Sequence, residues 1–301
     1  MLRFESAAEA SVRIGVDSYS YHRFFGELRS SELPVEEPWA TEDFLNRCVE
    51  LGVDGVSLET CYLDLSSDRA VDSLRQKLDK AGLDRVLAWG HPDGLAMGND
   101  PSCFADALHA ADVAARLDCE LLRIVIGTVI HFGAEDEAEV IRRVVPLIDR
   151  IVRQADHHGL DVAIETHCDL TVGALSQVVA KIDSPRLGVV FDTANVVRIG
   201  EDLIAAAEVL APHVKMAHVK DIDLANSTPD QPGGQWPGVP LGQGDLDLPR
   251  TLAILDQAGF DGLACVEVAD TSPHWSEDEI VALSVDWLSA NCQPRRIPCP
   301  G

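Results

Sequence analysis

One short phrase recurs along the chain and limits its fold more than any other feature. Each copy reads as a helix end, a glycine, an apolar residue, an aspartate and an apolar run. The copies are LGVDGVSLE from Leu51, AGLDRVLAWG from Ala81, HGLDVAIETH from His158 and AGFDGLACVEV from Ala258, with a weaker copy without the glycine, RLDCELLRIVIG, from Arg116. Glycine suits the left-handed cap of a helix, and the apolar run suits a strand buried on both faces. The repeating unit is therefore a helix followed by a buried strand.

About eight strand candidates can be counted, and helical patterns separate them. They lie at residues 12–17, 55–60, 85–90, 120–126, 161–166, 187–192, 214–219 and 263–268. Apolar residues return every three or four positions between them, most clearly from Ala138 to Ala155. This alternation predicts an α/β fold, a closed (β/α)8 barrel forming one domain over residues 1–301, with peripheral ends at about 1–11 and 292–301. A doubly wound sheet is the alternative, but no G-x-G-x-x-G follows the first strand candidate.

One connection is much longer than the others. Residues 221–248 are rich in Pro, Gly and Asp and separate the seventh strand candidate from a helix expected to begin near Pro249. Long loops in compact domains are usually functional or disordered, and loops after barrel strands lie on the active face. We therefore expect a loop that covers the substrate.

The composition excludes some classes of partner and indicates a compartment. The chain has 24 Lys and Arg against 50 Asp and Glu, a formal net charge of −26, which disfavours binding to nucleic acid or to an anionic membrane surface. Its eight cysteines form no C-x-x-C pair and are expected to be reduced. No apolar run approaches the roughly 20 residues needed to cross a bilayer, and no signal segment opens the chain. A cytoplasmic location is predicted.

Four consecutive strand candidates end in residues that can bind a hard divalent cation. They are Glu165 in VAIETH, Asp192 in VVFDTAN, His218 in KMAHVKD and Glu267 in ACVEVAD. The carboxyl ends of barrel strands open on one face, so these side chains are expected to converge. Three carboxylates and one imidazole favour one Mn²⁺, with Mg²⁺ or Co²⁺ as alternatives, over a structural zinc. A cap or an ion pair would explain each residue alone, but four such groups buried together without a cation would carry a large desolvation cost.

The motifs IETH, FDTAN, AHVKD with a following PLGQGDLD, and CVEV resemble those of the xylose isomerase-like TIM barrels, the group of sugar phosphate isomerases and epimerases. The resemblance extends from Ile14 to Leu288. It implies a (β/α)8 barrel with one catalytic divalent metal, held by the residues that match Glu165, Asp192, His218 and Glu267. Family members share this site more than a reaction. They include ketose 3-epimerases, hydroxypyruvate and inosose isomerases, inosose and dehydroshikimate dehydratases, and enzymes that cleave oxidised glycosides.

The two glutamates indicate chemistry at a carbon beside a carbonyl. A metal bridging a carbonyl and its neighbouring hydroxyl would let a carboxylate remove a proton and would stabilise the resulting enediolate. Glu165 and Glu267 come from opposite sides of the ligand set, and the resemblance implies that they act on both faces of that carbon. We expect a metal-dependent isomerase or epimerase of a small keto-sugar, cyclitol or related polyol.

Two alternatives stay open. The first starts from the same enolate and expels a β-substituent, which makes the protein a lyase: a dehydratase of a keto-cyclitol or keto-acid, or a β-eliminating enzyme on 3-keto-glycosides. The second is a sugar-binding barrel without catalysis, against which the intact ligand set argues.

Further candidates surround the predicted metal site. His167 and Lys220 follow Glu165 and His218 by two residues, and we predict catalytic roles for both as acid, base or enediolate contact. A structural histidine and an ion-paired lysine are the alternatives. Substrate contact is predicted for side chains near the ends of other strands or in loops, with capping or loop anchoring as the alternative. These are His22, Glu59, His91, Asn195, Trp236 and Trp275.

Asn195 departs from the pattern of the resembling family. Many ketose epimerases and the related apurinic-site nucleases carry a histidine three residues after the aspartate, whereas this chain has an amide that cannot shuttle a proton. The departure disfavours nuclease chemistry and a 3-epimerase. We find no clear Gly-rich phosphate cradle at strands seven and eight, so a small unphosphorylated carbohydrate is the expected substrate. The resemblance also implies a homo-oligomer, and some relatives work with a small second subunit.

Overall fold

Eight parallel strands close into a barrel in the computed structural model, which describes residues 12–29 and 32–292. The barrel strands are β1 (Arg13–Asp17), β2 (Gly55–Glu59), β3 (Asp84–Ala88), β4 (Leu121–Ile124), β5 (Asp161–Glu165), β6 (Leu187–Asp192), β7 (Val214–Val219) and β10 (Leu263–Val266). Their order around the barrel is β1-β10-β7-β6-β5-β4-β3-β2. The predicted (β/α)8 barrel is confirmed, and each strand candidate agrees with a strand to within two residues.

Helices cover the outside of the barrel. They are α1 (Thr41–Leu51), α2 (Asp68–Ala81), α3 (Pro101–Arg116), α4 (Glu137–His157), α5 (Val172–Ile182), α6 (Thr193–Arg198), α7 (Leu203–Leu210), α8 (Leu248–Gln257) and α9 (Glu277–Asn291). Within the described residues, no helix combines the length and the apolar character needed to cross a membrane. The predicted peripheral ends lie outside the described residues, apart from Cys292, which caps α9.

The recurring phrase marks the turn from a helix into a strand. Its glycine has a positive φ in all four full copies, for example 70° at Gly52 and 89° at Gly259. The weaker copy puts Asp118 in the left-handed conformation at φ 62°, which aspartate tolerates better than most residues. The apolar residue after each glycine is buried. These residues are Val53, Leu83, Leu160 and Phe260.

The barrel interior has two layers. The apolar layer is a buried cluster on the inner face of six strands, made of Val86, Leu121, Ala163, Val190, Met216, Leu263 and Cys265. The charged layer lies at the carboxyl ends of the strands and consists of Asp17, Glu59, Arg123, Glu165, Asp192, His218 and Glu267, all of them buried. Side chains of a strand alternate between faces, so a charged residue two positions after an apolar one shares its inner face. The four predicted metal ligands therefore lie on top of the barrel core.

The long connection after β7 is an ordered part of the fold. It contains a two-stranded antiparallel sheet of β8 (Asp221–Ile222) and β9 (Gly238–Val239). The buried Asp221 carboxylate accepts backbone N–H bonds from Gly242 at 2.9 Å, Gly244 at 3.0 Å and Leu246 at 3.2 Å. The GQGD stretch therefore wraps around a carboxylate of the protein itself.

Candidate metal centre and active-site cavity

Four side chains meet at the carboxyl ends of neighbouring strands. Glu165 and Asp192 end β5 and β6, His218 lies on β7, and Glu267 follows β10. One ligand atom from each lies within 4.8 Å of the other three. His218 Nδ1 is 2.6 Å from Glu267 Oε2, 3.4 Å from Glu165 Oε1 and 3.9 Å from Asp192 Oδ2. Groups that are at least 26 residues apart in sequence thus form one cluster around the imidazole.

The chemistry of this cluster fits a divalent cation. Glu165 Oε2 and Glu267 Oε2 are buried and have no aligned hydrogen-bond partner. Burial alone would raise the pKa of Glu165, but Arg123 and His218 lower it to about 2. Lys220 and His218 likewise hold the pKa of Glu267 well below its usual range against the effect of burial. Ionised, buried oxygens with free lone pairs and one ring nitrogen are a suitable donor set for such an ion.

Asp17 is a member of the charged layer that the sequence analysis did not single out. Its Oδ2 lies 3.3 Å from His218 Nε2, close enough for an ion pair but without the alignment of a hydrogen bond. Its Oδ1 accepts the backbone N–H of Tyr19 at 2.7 Å. A carboxylate behind a ligand histidine fixes the orientation of the ring, so Asp17 is placed to keep Nδ1 facing the cluster. Asp17 could have been predicted as a site residue from the sequence, because it ends β1 just as Asp192 ends β6.

Two buried cations neutralise part of this acidic site. Lys220 Nζ is 2.8 Å from Asp192 Oδ2 and 2.9 Å from Glu267 Oε1. Burial lowers the pKa of Lys220, but the two carboxylates outweigh it and raise the pKa above its usual value. Arg123 on β4 pairs with Glu59, and its Nε is 3.2 Å from Glu165 Oε2. Arg123 was not predicted from the sequence, although a charged residue within the apolar run LLRIV is an unusual feature.

A cavity of about 530 Å³ opens directly above the cluster. The sequence-predicted residues that line it are Glu59, His91, Glu165, His167, Asn195, Lys220 and Glu267. Tyr19, Arg29, Arg123 and Arg198 also line it and were not predicted. Its volume lies in the usual range for small-molecule sites.

The sequence pattern of the xylose isomerase-like TIM barrel matches residues 45–291, which is most of the chain. The chain belongs to this family. The resemblance given by the strand-end motifs is therefore confirmed at the level of the family.

Two proteins with similar sequences match different shares of this chain. A 3-oxo-isoapionate decarboxylase from Pectobacterium atrosepticum is 28% identical over 235 residues, which are 78% of this chain and 77% of that protein. An uncharacterised Escherichia coli protein, YihM, is 33% identical over 104 residues, but these are 34% of this chain and 31% of that protein.

Solved structures show the same barrel at low sequence identity. A xylose isomerase domain protein from Planctomyces limnophilus has a TM-score of 0.70 at 22% identity, covering 94% of this chain and 97% of that one. A D-psicose 3-epimerase from Clostridium cellulolyticum, solved with D-tagatose, has a TM-score of 0.71 at 15% identity over 94% and 100%. A xylose isomerase-like barrel from Mycobacterium smegmatis, solved with magnesium, has a TM-score of 0.70 at 14% identity over 93% and 96%.

His167 is held by the neighbouring loop of the barrel. Its Nδ1 lies 3.2 Å from the Gly127 carbonyl oxygen, while the Gly127 N–H donates to Asp169 at 2.7 Å. A carbonyl only accepts, so this contact assigns a proton to Nδ1, and in the neutral ring Nε2 is then an acceptor. A Cβ at position 127 would lie 2.5 Å from Met97 Sδ, so a larger residue there would have to displace the buried Met97 side chain. Both neighbours of Cys168 are thus fixed, and Cys168 itself has a φ of 53°.

Asn195 supports the ligand cluster besides lining the cavity. Its Nδ2 donates to Asp192 Oδ2 at 2.9 Å and to Glu165 Oε1 at 3.3 Å. Its Oδ1 accepts from Arg198 Nη1 at 3.0 Å. The Asn195 amide therefore orients two of the four side chains of the cluster.

Three side chains predicted to contact substrate do not line this cavity, although Trp236 lines a small chamber beside it. His22 is buried behind Tyr19, with Nε2 3.0 Å from the Glu32 carboxylate and Nδ1 3.0 Å from the Tyr19 carbonyl. Trp236 is buried in its own loop, and its Nε1 donates to the Gln231 carbonyl at 3.1 Å. Trp275 packs against the hydrophobic core. These rings anchor loops.

Proposed function

We propose that this protein is a divalent-metal-dependent enzyme that isomerises or epimerises a small keto-sugar, cyclitol or related polyol through an enediolate. The observation that supports it most is the placement of Glu165 and Glu267. They reach the same cluster from β5 and β10, which are separated in the barrel by β6 and β7. Two carboxylates on different sides of one site suit proton removal and return at one carbon.

The ion would be held by Glu165, Asp192, His218 and Glu267, and Mn²⁺ is the proposed metal. When bound, a divalent ion supplies electrostatic stabilisation for negative charge that develops on a carbonyl and its neighbouring hydroxyl. The chain supplies the proton transfers. Glu165 and Glu267 have lowered pKa values, so both are ionised near neutral pH and ready to accept a proton.

His167 and Lys220 have proposed roles beside these carboxylates. His167 lines the cavity, and its Nε2 is the acceptor nitrogen, which suits a base that takes a hydroxyl proton. Lys220 lines the cavity as a cation, so it suits contact with the oxygen that gains charge. A cytoplasmic location, a homo-oligomer and a small second subunit stay predictions.

A lyase is the second candidate, and two observations favour it. The relative that covers 78% of the chain is a decarboxylase. Lys220 holds protons 2.9 Å from Glu267 and faces the cavity, so it could protonate a departing oxygen or the carbon left by a lost group. In this reading the same charge stabilisation serves bond cleavage, and the substrate loses water, an aglycone or carbon dioxide.

One experiment separates the two candidates. The protein is loaded with Mn²⁺, Mg²⁺ or Co²⁺ and incubated in D₂O with ketoses, inososes, 3-keto-glycosides and 3-oxo sugar acids, and the products are analysed by NMR. Deuterium at a substrate carbon without group loss supports the isomerase, whereas an unsaturated product, a free aglycone or carbon dioxide supports the lyase. Glu165→Gln should abolish either reaction, and the exposed Glu208→Gln is the matched control. Full activity without any divalent ion would refute the proposal.

A further inference from the structure

The cations that line the cavity differ in their partners. Arg29 pairs with Asp270, Arg123 pairs with Glu59, and Lys220 pairs with Asp192. Each of these cations is thus paired with an acidic side chain of the protein. In a chain with twice as many acidic as basic residues, this is the expected state of a basic side chain.

Arg198, the last residue of α6, is the exception among the described cations of the cavity. Its Nε and Nη2 donate to the Pro232 carbonyl at 3.0 and 2.7 Å, and its Nη1 donates to Asn195 Oδ1 at 3.0 Å. No Asp or Glu oxygen of the described residues lies within 4.0 Å of its guanidinium. All its acceptors are neutral, and two of its five N–H groups have no acceptor among them.

Arg198 lies at the substrate cavity, where its guanidinium can contact a bound anion. It is half-buried, and it lines both the main cavity and a small chamber of about 20 Å³ below the long loop. Lys220 and Glu267 line both spaces as well. A partly buried guanidinium without an anion is costly, and a substrate anion would remove that cost. Arg198 and Glu267 therefore border the same two spaces, so that one bound substrate can contact both.

The nature of the anion follows from the neighbouring backbone. A phosphate is commonly held by several backbone N–H groups of a glycine-rich turn. The glycine-rich turn next to this site gives the N–H groups of Gly242 and Gly244 to Asp221. One planar guanidinium with free N–H groups suits a carboxylate instead.

We propose that Arg198 binds a carboxylate of the substrate, so that the enzyme acts on a keto-sugar acid in preference to a neutral ketose. This inference rests on the proposed function, because it names the substrate class of the same site. It applies equally to the isomerase and to the lyase candidate.

The test uses the full chain loaded with Mn²⁺ and matched probes. D-fructose, D-fructuronate and D-fructose 6-phosphate share a ketose skeleton and differ at C6, and D-tagatose with D-tagaturonate forms a second pair. Calorimetry should show each uronate binding about tenfold or more tightly than its ketose, and more tightly than the phosphate. In Arg198→Gln the ratio of uronate to ketose affinity should fall by about 10- to 100-fold.

Two further variants separate recognition from folding. Arg198→Lys keeps the charge and loses the planar fork, so it should keep part of the preference for the uronate. Arg69→Gln removes an exposed arginine of α2 outside the cavity lining, and it should leave the ratio as in the wild type. An equal loss of affinity for ketose and uronate in Arg198→Gln would mean that the variant only disturbs the loop at Pro232, which overturns the proposal.

The outcomes also distinguish this inference from the proposed function. Deuterium exchange into the neutral ketoses with no preference for the acids would keep the proposed function and overturn the role of Arg198. Uronate binding that depends on Arg198, without turnover of any probe with any metal, would overturn the proposed function and keep the carboxylate site. Tighter binding of the phosphate than of the uronate would overturn the assignment of a carboxylate.

Discussion

The two layers of the barrel interior use the same strands for opposite purposes. In β5 the apolar layer holds Ala163 and the charged layer holds Glu165, and in β7 the corresponding residues are Met216 and His218. Both layers are buried. Burial of the apolar layer stabilises the folded state, whereas burial of the charged layer carries a desolvation cost that only charged or hydrogen-bonding partners offset. On each of these strands, a residue that stabilises the core and a residue of the proposed site are therefore only two positions apart, about 7 Å along the strand.

The largest effect is expected in the charged layer and on turnover. Glu267→Gln removes a proposed base and a proposed ligand, so turnover should fall by about 10³-fold or more. The free energy of unfolding of the metal-free protein should change by only about 1 kcal/mol, since Lys220 keeps Asp192 as a partner. Steady-state kinetics and urea denaturation measure the two quantities. A variant with more than a tenth of wild-type turnover would remove Glu267 from the mechanism.

The apolar layer should show the reverse behaviour. Met216→Ala leaves a void inside a closed barrel, and the free energy of unfolding should fall by about 2–5 kcal/mol. Manganese affinity measured at a temperature where the variant is folded should stay within about threefold of the wild type. Val209→Ala on the surface of α7, which is 49% exposed, is the control and should cost less than about 0.5 kcal/mol. An equal loss of unfolding free energy in Met216→Ala and in Glu267→Gln would contradict the division into layers.

The loop above the charged layer should depend on one carboxylate. Asp221→Asn replaces a charged acceptor by a neutral amide, so the backbone N–H groups of Gly242, Gly244 and Leu246 lose charge-assisted bonds, at a cost of about 1–3 kcal/mol. Hydrogen exchange should accelerate at these three amides. Asp230→Asn changes an exposed residue of the same loop and should leave their exchange rates unchanged.

The smallest effect is expected at Asp17, which touches the proposed metal only through His218. Asp17→Asn should weaken manganese binding by about 10- to 100-fold, because the imidazole loses a charged partner at Nε2. Calorimetric titration with Mn²⁺ measures the change. Asp286→Asn, an exposed residue of α9, is the control. Wild-type affinity in Asp17→Asn would show that the ring is held by packing alone.

The alternation of faces explains how much of the site the sequence revealed. Glu165, Asp192, His218 and Glu267 were found because each closes an apolar run, and a barrel brings such ends together. Asp17 obeys the same rule, whereas Arg123 differs from it because its charge lies inside an apolar run. The barrel itself followed from repeated helix caps and buried runs, which are local features of the chain.

Loop residues could not be placed in this way. His22 and Trp236 were expected in the cavity, but their partners, Glu32 and Gln231, are chosen by the path of irregular backbone. Arg198 was missed for a similar reason, since its proposed role rests on the absence of an acidic partner among residues 12–29 and 32–292. The positions and partners of these side chains depend on tertiary contacts, which leave no periodic pattern in the sequence.

The step of two residues also has a consequence for folding. If β5 slipped by one position against its neighbours, Ile164 would turn inwards and Glu165 would be pressed against the surrounding helices, where it meets no compensating charge. Similar slips would misplace Asp192 and His218. We therefore expect the charged layer to disfavour misaligned strand pairings while the barrel folds, before any substrate binds.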